Sequence, residues 1–252
     1  MQPDPFWNTH NMQADPFAIL ESANLYVYTM SNPVRFIDPL GLMSFILYDP
    51  DTHSNVGPRG IFGFSVDSHV NNMANELRSI YGTEVTRVST LGWTAETFAD
   101  WWNGLDGHID AIVIVTHSNW DRLQFDSKND LGRDDPNRNL GLTMSQLGSL
   151  NLNVLSMDML VLLGCNSGDV TRANNIATEF ARNIQGTVFA PNGKLWMNAQ
   201  ILGGNMRVAE GGHFIAHTYS STGLAHRRAI DASSWRRPGT YLRQMHDWVT
   251  NR

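Results

Sequence analysis

Ile109-Asp110-Ala111-Ile112-Val113-Ile114-Val115-Thr116, followed at once by His117, and Asp158-Met159-Leu160-Val161-Leu162-Leu163-Gly164, followed by Cys165, are the stretches that decide the fold. Each is apolar without alternation, as a strand is when both of its faces are covered. A short apolar run, Ser44 to Tyr48, and a β-branched run, Val85 to Thr90, read as two further strands. Thr187 to Ala190 reads as a fifth. Between them lie stretches with helical spacing: Val70, Met73, Leu77 and Ile80 before Gly82; Phe98, Trp101, Trp102 and Leu105 after Thr94; Ile176, Ala177, Phe180 and Ile184. Strands alternating with helices predict an α/β sandwich with a mainly parallel central sheet flanked by helices. Beyond Pro191, the segments 194–197, 206–209 and 214–219 predict a small β addition, and Tyr241 to Val249 a closing helix. Residues 119–140 are polar and turn-rich, and read as a long loop.

The composition narrows the function. A chain of 252 residues with 42% hydrophobic content has enough material for a full core. Its net charge of −6 argues against a dedicated nucleic-acid binder. A single cysteine excludes an intrachain disulfide and a cysteine-rich zinc site. No apolar run is long enough to span a bilayer, and the opening MQPDPFW has neither the basic nor the apolar region of a secretory signal. The arginine-rich stretch from Arg207 onward reads as a solvated basic surface.

The first 42 residues differ from the rest. Residues 1–23 contain two Asp-Pro-Phe tripeptides and no periodicity. Asn24 to Leu42, NLYVYTMSNPVRFIDPLGL, resembles the closing signature of the Rhs repeat-associated core: NLY-x-Y, then NP, then DP-x-G. That resemblance implies a core remnant or linker over residues 1–42 and a C-terminal toxin domain over 43–252. It also implies Rhs cage and delivery machinery, a cognate immunity protein, and a secreted effector acting in the cytoplasm of a target cell.

In an open parallel sheet, ligands bind beyond the carboxyl ends of the strands. Two such ends carry reactive side chains, His117-Ser118 and Gly164-Cys165. A thiol beside an imidazole can act as a nucleophile, and unpaired N–H groups where a strand turns can face an oxyanion. The two blocks resemble the caspase-like (clan CD) cysteine peptidases, in which one apolar strand ends in His-Gly and the next in Ala-Cys or Gly-Cys. Carried over, the resemblance implies Cys165 as nucleophile and His117 as general acid/base, with Ser118 at the oxyanion-hole position normally held by glycine. The implied function is a cysteine endopeptidase acting on a protein substrate in the target cell.

Asp49 and Asp51 are candidate orienting acids. Asn192, Trp196 and Asn198 are candidate pocket residues, with core packing the plainer reading for Trp196. The other histidines show no zinc spacing, and no cofactor or metal is expected. Three alternatives stay open: an autoprocessing peptidase cutting near residue 42, a non-peptidase α/β toxin, and a binding module with a dead site.

Overall fold

The computed structural model describes residues 43–50, 66–125, 141–151, 156–197, 204–209, 211–220 and 222–251. The Rhs-like stretch, the boundary near residue 42, and Asp51, His53 and Asn198 lie outside them.

The described chain forms an α/β sandwich around a seven-stranded sheet. Its strands are β1 (Ser44–Tyr48), β2 (Val85–Ser89), β3 (His108–Val115), β7 (Ser156–Leu163), β8 (Gln185–Pro191), β11 (His213–Ser220) and β12 (Gly223–Asp231), in the order β12-β11-β8-β7-β3-β1-β2. From β2 across to β8 every neighbouring pair is parallel, and β11 and β12 add antiparallel to β8. The two apolar stretches are the central strands β3 and β7, paired from His108–Ser156 to Val115–Leu163. A short pair, β9 (Leu195–Met197) and β10 (Met206–Val208), stands apart from the main sheet.

Helices cover both faces. On one face lies α1 (Asp67–Tyr81), whose buried Val70, Met73, Ala74 and Leu77 recur at helical spacing. It stops where Gly82, at φ 72°, takes the left-handed cap and returns its N–H to the Arg78 carbonyl. Beside it packs the closing helix α4 (Pro238–Thr250), burying Tyr241, Leu242 and Met245. The opposite face carries α2 (Ala95–Asn103), capped by the Thr94 hydroxyl, which accepts the Thr97 N–H. Next to it is α3 (Ile176–Asn183), whose Asn175 caps the Thr178 N–H in the same manner. Phe98, Trp102 and Phe180 meet under these helices with no exposure.

Two sequence expectations need correction. The stretch from residue 119 is not a structureless loop throughout. Arg122–Gln124 forms β5, which pairs with β4 (His117–Ser118) and β6 (Gly141–Thr143) in a three-stranded sheet. Leu123 and Phe125 are fully buried, and Phe125 stacks on Phe98 at 4.9 Å, so this polar segment still feeds the core. The tail addition is larger than expected, because His226, Arg227 and Arg228, within the arginine-rich stretch, belong to the edge strand β12. Its exposed Arg227 and Arg228 are the kind of charge that keeps an edge from pairing with another chain.

Candidate metal centre

His117 and Cys165 do follow the carboxyl ends of two neighbouring strands, β3 and β7, each two residues past the last pair, Val115–Leu163. The Ser118 hydroxyl donates to the Cys165 carbonyl at 2.8 Å and ties the two strand ends together. A Cβ on Gly164 would lie 2.2 Å from that hydroxyl, so only glycine admits the tie.

The chemistry expected there does not follow. The Cys165 thiol donates to the Leu195 carbonyl at 3.8 Å, and no imidazole among the described residues bonds it. Burial pushes its pKa up, and the opposing pulls from the Leu195 carbonyl and Lys194 are smaller. Nucleophilic thiols need the reverse shift. Three N–H groups of the turn after Cys165 are also taken: those of Asn166, Ser167 and Gly168 donate to the carbonyls of Gly193, Gly164 and Pro191. Cys165 and His117 therefore do not make a Cys–His dyad, Ser118 acts as a cross-strand tie, and the cysteine endopeptidase expectation is overturned. With iodoacetamide at neutral pH, Cys165 is expected to react more slowly than a small-molecule thiol. A rate equal to or above that reference would show a thiolate that this geometry does not support.

Of the other candidates, Asp49 is fully buried and donates its backbone N–H to the Val115 carbonyl. Asn192 accepts the His213 N–H at 3.1 Å, and Trp196 is exposed rather than packed in the core. His213 and His217 lie on strand β11, as the segment's pattern implies, and not on a helix.

A different constellation forms at the opposite, amino-terminal end of the same two strands. His108 and Asp110 open β3 two residues apart, and Asp158 stands near the start of β7. One ligand atom from each lies within 4.8 Å of the others. The His108 Nε2 is 3.4 Å from an Asp158 carboxylate oxygen, while its Nδ1 is 3.2 Å from the Ser156 hydroxyl. A hydrogen bond on one ring nitrogen that leaves the other facing a carboxylate is the arrangement that orients an imidazole ligand. Asp110 is 2% exposed and accepts the Thr83 hydroxyl at 3.0 Å. Thr83 follows the Gly82 cap, so the end of α1 sets that contact.

Tyr81, the last residue of α1, closes the surroundings. Burial raises its pKa first, and the charges of Asp158 and Asp110 raise it further, so the phenol stays neutral. Its hydroxyl has no hydrogen-bond partner among the described residues, and its ring meets His246 of α4 edge-on at 5.4 Å. One imidazole and two carboxylates form a mixed N/O set suited to a borderline or hard divalent cation such as Zn²⁺ or Mn²⁺.

Sequence spacing does not single out this trio, because the third residue lies 48 positions after Asp110. The available signal is the buried acid itself: an aspartate inside an otherwise apolar strand requires a partner.

No family model matches the sequence, and no curated protein matches it. The Rhs-like signature and the toxin expectation built on it thus find no support. Among solved structures, the chain is similar to the Arg-specific cysteine proteinase gingipain R (RGPB), with a TM-score of 0.42 and 16% identity. The match covers 62% of this chain and 33% of that chain, a weak and partial likeness to a caspase-like cysteine-protease fold.

Proposed function

We propose that this chain is a non-peptidase α/β module that binds a divalent cation at His108, Asp110 and Asp158. The observation that carries the reading is the convergence of these three ligand atoms within 4.8 Å at the amino ends of two adjacent central strands. Rigid strands hold ligands more accurately than loops do. Two carboxylates at this separation repel each other in the absence of a cation, and a bound ion removes that repulsion. Asp110 is too buried to relax into solvent, so His108 and Asp158 supply the exposed side from which an ion enters.

The test is a melting-temperature titration of chelator-stripped protein with Mn²⁺ and, separately, Zn²⁺, alongside calorimetry. Binding to the folded state alone stabilises by about 2.7 kcal/mol when the free ion is a hundredfold above its Kd. For a domain of this size that is a rise of roughly 5–10 °C. His108→Ala is expected to weaken binding by about tenfold or more, on the scale of losing one ligand or its support. No saturable binding by either ion, or equal binding by the variant, would overturn the reading.

A further inference from the structure

A second pair of titratable side chains sits far along the sheet from the metal centre. His217 of β11 and His226 of β12 stand directly opposite each other in the antiparallel register. Their Nδ1 atoms are 2.9 Å apart and their ring centroids 4.8 Å apart, nearly perpendicular. His217 has no exposure, and Thr178 of α3 places its hydroxyl 3.4 Å from the same Nδ1. The Nε2 of His217 has no hydrogen-bond partner among the described residues.

A contact between two Nδ1 atoms needs one N–H and one lone pair. It exists only while the pair is short of its second proton. Protonating both rings would set two N–H groups head to head and place two positive charges within van der Waals range inside the fold.

The surroundings oppose that charge. On α3, Arg182 faces His226, and its guanidinium is shared between Glu179 and Asn174. On β12 itself the sequence neighbour is Arg227, followed by Arg228. The β11 neighbours Ala216 and Thr218 and the β8 residues Val188 to Ala190 carry no charge. The Glu179 carboxylate on the same helix is already committed to Arg182. His213 and Asp231 sit at the far end of the hairpin.

We propose that His217 and His226 form a proton-operated latch that clasps the edge strand β12 to β11 and α3 and releases it in mildly acidic solution. Leu224, two residues before His226 and packed on the α2–α3 side of the core, is an apolar side chain on the histidine side of β12 that release uncovers. Burial lowers the pKa of both rings, that of His217 to about 3, with the His226 charge adding to the effect there and Arg182 adding to it at His226. Since the folded values lie below the unfolded one, the stabilisation is complete above about pH 6.5 and falls away as the pH drops below it.

Hydrogen exchange on the full chain, corrected for intrinsic rates, tests this at pH 7.5 and pH 5.0. Protection of the 213–231 hairpin is expected to fall by about tenfold to thirtyfold, the proton uptake of one released imidazole. β3 and β7 should keep theirs. In His226→Gln, a substitution at the more exposed ring, the pH step should vanish. Ring-proton NMR titration of the unmodified protein gives a second readout should that variant fail to fold: both imidazoles must titrate below the ordinary range. A flat hairpin profile, an equal loss in β3 and β7, an undiminished step in the variant, or either ring titrating near 6.5 would each overturn the latch.

Discussion

Trp102→Ala is expected to be among the most destabilising single substitutions in this chain, lowering stability by about 3–5 kcal/mol. Trp102 is completely buried, and its ring lies 5.7 Å from Phe98 and 5.6 Å from Phe180. It is the side chain through which α2 reaches α3, so truncation leaves a cavity at the junction of two helices and the sheet. Its indole N–H has no partner among the described residues, so the loss is packing and not a broken hydrogen bond. The melting temperature should drop by roughly 6–20 °C. The control is Trp196→Ala, at a tryptophan 48% exposed on β9, expected to change stability by no more than about 0.5 kcal/mol. Comparable losses from both would mean that the aromatic layer under α2 is not the core element described.

The difference between those tryptophans shows what the sequence could convey. Phe98 and Trp102 recur at helical spacing within a segment capped by Thr94, and that is enough to place them on a buried face. The unbroken apolar runs of β3 and β7 likewise announce central parallel strands, because only a strand covered on both sides tolerates such a sequence. Trp196 has no periodic context, and its exposure follows from the separate β9–β10 pair that no local pattern encodes. The strand β12 was illegible for a related reason. An edge strand needs charges to stay soluble, so Arg227 and Arg228 disguise it as a surface loop.

The site was less legible than the fold. Reading His117 and Cys165 as ends of adjacent strands was sound, since Val115 and Leu163 do pair. Position along a strand does not fix where a side chain's hydrogen bond goes. The Leu195 carbonyl, brought in by strand β9 30 residues further on, takes the thiol, and three local N–H groups find carbonyls of their own. What tertiary structure adds at the other end of the sheet is the meeting of Asp110 with Asp158. The parallel register of β3 and β7 brings together two acids that have no reason to be neighbours in sequence.

Asp158→Asn separates a metal centre from an ordinary ion pair by changing two quantities in opposite senses. Without metal, the substitution removes one of two facing carboxylates and keeps a polar atom toward His108 Nε2, 3.4 Å from the present carboxylate. The partly exposed His108–Asp158 pair is worth at most about 1 kcal/mol, and the lost repulsion offsets it. In chelator, the variant should therefore melt at or slightly above the temperature of the unmodified protein. With Mn²⁺ in hundredfold excess over the native Kd, the unmodified chain gains about 2.7 kcal/mol and the variant almost none. Binding sites commonly carry such a cost, since ligand groups held close together are strained until the ligand arrives. A purely structural Asp158 gives the reverse pattern: a lower melting temperature in chelator and an unchanged response to Mn²⁺. That outcome would remove the metal from this site, leaving His108 and Asp158 as a surface contact and Asp110 as a buried acid satisfied through Thr83.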